Sequence, residues 1–170
     1  NACDKRGFTA LHEAARQSNV VALSLLLAQP GLLANVRSAG DNTPLHLYCE
    51  HCTDVAHLAI AQRLLERGAH VNATNEHGET ALHKAMLNVG APDDVRHKLV
   101  QGLLANHADA NIRTVRGDTP LHYAVYMNHG SLVLPLLQGG ADIDALAADG
   151  ATACDIARRE RKTALLAALQ

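Results

Sequence analysis

Five residues in one short stretch have the types and spacing of a metal or thiol site: His46, Cys49, His51, Cys52 and His57. Cys49-x-x-Cys52 has the separation of a zinc knuckle or a redox dithiol, in which two thiolates three positions apart can share one tetrahedral ion or one disulfide. A knuckle needs a second such pair, and the sequence has none. A small free thiol also packs as a hydrophobe, and Cys49 is read that way. Cys3 and Cys154 stand alone and are read as packing residues too. No metal and no cofactor are expected, with a small metal or redox site at this turn as the minor alternative.

Other chemistry finds no support. The 170 residues contain no phosphate-binding glycine loop, no serine nucleophile elbow and no His-Glu-x-x-His helix, so the expectation is no enzyme and no catalytic residue. Of the eleven histidines, His77, His97, His107 and His129 are scattered and are read as surface or turn residues. Lys and Arg total 15 against 17 Asp and Glu, a net charge of −2 that offers a polyanion no attraction; nucleic acid is not an expected partner. The longest apolar run is Ala164–Leu169, too short for membrane insertion. Four cysteines in a chain of this length do not make a disulfide framework, which favours an intracellular, cytoplasmic location.

The elements that carry these residues are helical and repeated. Ala (30) and Leu (26) dominate the apolar residues, while Val (11) and Ile (4) are few, a balance that favours closely packed helices over sheets. One tetrad recurs: Thr9-Ala10-Leu11-His12, Thr43-Pro44-Leu45-His46, Thr80-Ala81-Leu82-His83 and Thr119-Pro120-Leu121-His122, with a degenerate copy at Thr152-Ala153-Cys154-Asp155. The threonines are 34, 37, 39 and 33 residues apart. Each is placed to cap a helix, Pro44 and Pro120 suit the first helical position, and Gly7, Gly78, Gly117 and Gly150 suit a turn with positive φ. Leucine-rich runs follow, at Leu25–Leu27, Leu64-Leu65, Leu103-Leu104 and Leu136-Leu137, and then turns such as Gly68-Ala69.

This pattern resembles the ankyrin repeat over essentially the whole chain. The resemblance implies an all-α solenoid of β-turn, helix, turn, helix units, about 3–36, 37–73, 74–112, 113–145 and 146–170, in a single domain covering 1–170. It also implies that the tetrad histidines, His46 among them, are structural, bonding within and between turns, and that Cys49 occupies a small buried position. The fifth unit, with Asp155 for His and the charged run Arg158–Lys162, reads as a C-terminal cap. Asn1-Ala2 matches the end of a preceding unit, so the chain is expected to continue upstream as part of a longer protein.

Departures from the pattern mark places to inspect. The tetrad His lies 14 residues before its leucine pair in the first and fourth units but 18 and 20 before it in the second and third. The extra residues fall around Cys49 to Asp54 and Asn88 to Asp94, either as neutral loop drift or as a local lobe. Asp41 stands for a turn Gly, Tyr48 for an Ala, and Pro135 requires a late helix start or a kink. Asn111 resembles a site of asparaginyl hydroxylation on ankyrin domains, although closing its own turn is the simpler role.

The function these features imply is a non-catalytic scaffold or adaptor module, monomeric, that binds a protein or peptide on its concave face. A regulatory or targeting domain acting in cis within a larger enzyme or channel is the alternative. Family geometry turns outward the residues beside the turn glycines and the pair closing each first helix. These are Lys5, Arg6, Phe8, Arg16 and Gln17; Glu76, His77 and Glu79; and Val115, Arg116, Asp118, Tyr126 and Met127. Aromatics beside Arg and Met have the composition of an interface anchor.

Overall fold

The computed structural model describes residues 1–54 and 58–169. Ten α-helices are found among them: α1 (Ala10–Arg16), α2 (Val20–Leu27), α3 (Pro44–His51), α4 (Ala59–Glu66), α5 (Ala81–Leu87), α6 (Asp93–Ala105), α7 (Pro120–Tyr126), α8 (Val133–Gln138), α9 (Ala153–Arg159) and α10 (Thr163–Ala168). The described residues form no β-strand beyond an isolated bridge between Cys3 and Thr9. The odd-numbered helices pack side by side in one row and the even-numbered in another, which makes an all-α solenoid of helix pairs. Residues four apart share a helix face, and each outer helix uses that spacing to bury an apolar pair: Leu23 and Leu27, Ile60 and Leu64, Leu99 and Leu103, Leu132 and Leu136, Leu165 and Leu169. In the inner row small residues such as Ala15, Cys49, Ala85 and Ala124 are fully buried, which lets neighbouring helices approach closely.

Every inner helix starts in the same way. Thr9, Thr43, Thr80, Thr119 and Thr152 are extended N-caps in capping boxes with the residue three positions on. In the first four the partner is the tetrad histidine: its Nδ1 accepts from the Thr backbone N–H at 3.1 Å and lies 2.8–2.9 Å from the Thr hydroxyl. An Nδ1 that accepts is unprotonated, so Nε2 carries the hydrogen. It donates it to a backbone carbonyl of the next turn: Asn42 (2.9 Å) from His12, Glu79 (3.0 Å) from His46, Asp118 (3.4 Å) from His83 and Ala151 (3.3 Å) from His122. A column of neutral imidazoles thus joins consecutive pairs. It stops at Asp155, whose carboxylate takes the Thr152 N–H and hydroxyl but has nothing to donate onward.

The turn tips are zippered as well. Ala39 N–H donates to Arg6 O, Glu76 to Gly40 O, Val115 to His77 O and Ala148 to Arg116 O. Gly117 is needed for this approach: its φ is +76°, and a Cβ would lie 2.8 Å from Ala148 N. Asp41, at φ +58°, fills the missing glycine's place in the second turn. An asparagine ladder also spans the turns after the outer helices. Asn72 donates to His107 O and accepts from Asp109 N; Asn111 donates to Gly140 O and accepts from Asp142 N; Asn1 and Asn35 make the same kind of paired bonds at the two earlier turns. The expectation for Asn111 is thereby corrected: both ends of its amide bond the next turn rather than closing its own.

The departures resolve locally. α8 begins at Val133 after a 3-10 turn at Gly130–Leu132, the late start that leaves Pro135 in the first helical turn, where no N–H partner is needed. The extra residues of the third pair go partly into a longer helix, since α6 has 13 residues against 8 in α2 and α4. Pro92 is its N-cap rather than an early helical residue. The remaining loop is fixed: buried Arg96 donates to Asn88 O and Ala91 O, and the Asn88 amide donates to Cys49 O and Cys52 O. The two enlarged turns are thereby tied together. Two further expectations are corrected. Cys3 is exposed, because the short bridge at the first turn leaves its side chain without neighbours to pack on. His129 is half-buried, held by its Nε2 on Met86 O at 3.1 Å.

Candidate functional site

The Cys-x-x-Cys turn is packed into the scaffold. Both nitrogens of His46 are bonded within the column, Cys49 and Cys52 are buried free thiols, and Cys52 Sγ donates to the Tyr48 hydroxyl at 3.4 Å. Burial pushes the Cys49 thiol far above its ordinary range, which is the environment of an inert, packed cysteine. Among the described residues no group of three His, Cys, Asp or Glu could hold a metal ion; His57 lies outside them.

The other candidates lie along the turn tips and the inner row. At the first turn Asp4 accepts from the backbone N–H groups of Arg6 and Phe8, and the Arg6 guanidinium stands 4.8 Å above the Phe8 ring. Lys5, Arg6, Arg16 and Gln17 are exposed, with Arg16 and Gln17 both on the Glu13 carboxylate. Phe8 is only half-exposed, because its ring also packs against His12 at 5.4 Å. In the third turn Glu76 and His77 are exposed as expected.

Glu79 is not. It is buried, because the next helix supplies a tyrosine and its own supplies a lysine. Glu79 accepts from Lys84 Nζ (2.9 Å), Asn75 Nδ2 (2.9 Å) and the Tyr123 hydroxyl (3.1 Å), and Lys84 also faces Glu50 at 3.6 Å. Burial raises the Glu79 pKa, but the three donors outweigh it and hold the carboxyl below its ordinary value. Asp118 is likewise buried rather than outward, folded under the fourth turn tip with the Tyr126 hydroxyl on its Oδ1 at 3.2 Å. Burial, then the nearby Asp118 charge, raises the Tyr126 pKa, so this phenol stays a donor.

Arg116, Asp118, Tyr126 and Met127 do come together. With Glu79, Tyr123 and Leu87 they line a hollow of about 300 Å³ between α5 and α7. A second hollow continues past Val115 and Asp149 towards the next turn tip. Val115 and Arg116 are 75% and 86% exposed, whereas Tyr126 and Met127 are half-buried. Lys84, Leu87 and Tyr123 are site residues that the sequence pattern does not single out. The available signal is register: Lys84 and Tyr123 both follow the tetrad histidine, where Glu13 stands in α1.

Comparison with known proteins agrees with this architecture. A family model described as ankyrin repeats (3 copies) matches residues 1–75, 55–147 and 94–170. Relatives include a probable serine/threonine-protein kinase of Dictyostelium discoideum, 34% identical over 82% of this chain. Others are the B-cell lymphoma 3 protein homolog of Mus musculus (34% over 84%) and ankyrin repeat and SOCS box protein 16 of Homo sapiens (37% over 82%). The chain covers only 16%, 31% and 30% of these relatives' own lengths. Ankyrin repeats are protein-interaction modules without catalysis of their own, and the described residues include no helix long and apolar enough to cross a membrane. With the tetrads, the paired helices and a family match along its length, the chain belongs to the ankyrin-repeat family.

Proposed function

We propose that this chain is a non-catalytic binding module that receives a protein partner along its concave side, across the turn tips and inner helices. One observation supports the reading: Lys5, Arg16, Glu76, Val115 and Arg116 are exposed along the turn tips and inner row, the same side of the stack that carries the hollow at Tyr126. Basic Lys5 and Arg16 at one end and acidic Glu76 further along suit a partner of complementary pattern rather than a phosphate backbone. Within this reading the module is a monomer, and the five units act as one domain.

The test uses exposed positions, because Phe8 and Tyr126 also pack and their loss would move the melting temperature. Arg16→Ala, Glu76→Lys and Val115→Asp should each weaken a captured partner by about 1–3 kcal/mol with the melting temperature unchanged. Binding that survives all three and is lost with Gln101→Glu and Leu134→Asp on the outer helices contradicts the reading. The second reading, a regulatory part acting in cis, is favoured by relatives that are much longer and include a probable kinase. Binding of this chain to the remainder of its own protein, measured in trans, would separate the two.

A further inference from the structure

Glu79 and Asp118 are the two buried carboxylates among the described residues, and they differ in what neutralises them. Glu79 has an ammonium at 2.9 Å and two further donors. Asp118, with its side chain 6% exposed, has one tyrosine hydroxyl on Oδ1; the nearest cation to Oδ2 is Arg116 Nε at 4.0 Å, on a side chain that is 86% exposed. The neighbouring Arg159 is on Asp149 at 3.2 Å. A carboxylate removed from water without a close cation is costly, and supplying one recovers that cost. Asp118 also lines both hollows, so the vacant side of its carboxylate is reachable from the binding face.

Resting on the inner-face reading above, the geometry points to this hollow as the anchor pocket for an arginine side chain of the protein partner. A guanidinium suits the carboxylate and aromatic walls, and Arg116, the cation of the lining, is on a side chain 86% exposed to water. Its planar fork reaches Asp118 Oδ2 in a charge-assisted bond, and its flat face stacks on the ring of Tyr126, whose hydroxyl is already turned to Asp118. The methylene stem lies along Leu87 and Met127, which give the hollow its apolar side. Lysine would bring the charge without the fork or the stacking plane. The volume, about 300 Å³, admits one side chain and not a folded element.

The probe is a five-residue blocked peptide, Gly-Ser-Arg-Ser-Gly, titrated into the isotopically labelled chain and followed by amide chemical shifts. Versions with citrulline, the neutral isostere, or lysine replace the arginine. The arginine peptide should give saturable shifts centred on Gly117–Thr119 and on Tyr126 and Met127, at least fivefold tighter than citrulline, with lysine between. Asp118→Asn should weaken the arginine peptide at least fivefold, and Glu66→Gln, on α4, should not. If Asp118→Asn disturbs the fold, the arginine-to-citrulline ratio on the unaltered chain decides. Equal binding of citrulline and arginine, shifts centred elsewhere, or no saturable shift overturns the pocket. Should that happen while Arg16→Ala and Glu76→Lys still weaken the captured partner, the pocket alone has failed and the inner-face reading stands.

Discussion

The seam between α5 and α7 and the seam between α7 and α9 each bury a carboxylate one residue before the tetrad threonine, and they use it differently. In the first, Lys84 follows the histidine of its own helix and Tyr123 stands at that position in the next, so Glu79 is enclosed by donors. In the second, the corresponding residue of α9 is Ile156, fully buried hydrocarbon with nothing to give Asp118. Glu79 is saturated by its donors and becomes scaffold; Asp118, at the same hollow, keeps an acceptor with no cation nearer than Arg116 at 4.0 Å. What sets the two acids apart is Lys84 in Glu79's own repeat, together with Tyr123 rather than Ile156 in the neighbouring one.

The largest consequence of that difference is in stability. Glu79→Gln leaves buried Lys84 with Glu50 at 3.6 Å as its remaining carboxylate and should cost about 3 kcal/mol in urea unfolding. Asp118→Asn keeps an acceptor for Tyr126 and removes a charge that has no close cation, so its cost should stay below about 1 kcal/mol. Equal costs would erase the distinction between the seams.

Acid probes the buried histidines of the column, His46 on α3 and His83 on α5 above all. Burial lowers the pKa of His46 and His83 from 6.5 to about 4, and it lowers His12 and His122 as well. Between pH 6.5 and 4 the unfolded chain binds protons that folded His46 and His83 refuse. Stability therefore falls as pH drops through that window, by up to about 1.4 kcal/mol per pH unit for each histidine. Urea midpoints measured at pH 7, 6 and 5 should decline from below pH 6.5, before carboxylates titrate. A flat midpoint over that range would mean that the column is not held neutral.

The smallest effect separates a useful hollow from a mere gap. A methyl group on Gly102, inside α6, would meet no atom within 4 Å, and Gly102 borders a hollow of about 70 Å³ against α4, whereas a Cβ on Gly139 would meet Leu104 at 2.7 Å. Gly102→Ala should stabilise by up to about 1 kcal/mol and leave partner binding untouched, while Gly139→Ala requires the Leu104 side chain to move. A change in binding with Gly102→Ala would put the partner on the outer row.

What is legible in the sequence follows from the same local logic. The tetrads, the capping threonines, the late start before Pro135 and the role of Asp41 can be read because each is decided within a few residues of itself. The outward placement of Glu79 and Asp118 fails because their burial is decided by Tyr123 and Tyr126, residues that stand 44 and 8 positions away. The asparagine ladder is not legible, and Asn111 reads as closing its own turn, since its partners are carbonyls and N–H groups one turn on, without side-chain identity. Exposure of Cys3 turns on missing neighbours, which no spacing records.

Hydrogen–deuterium exchange of this chain with and without its captured partner tests most directly whether the partner lies on the turn tips and inner helices. The predicted result is added protection at residues 5–8, 76–78, 115–118 and 126–127, with α2, α4, α6 and α8 unchanged. Protection confined to those outer helices would contradict it.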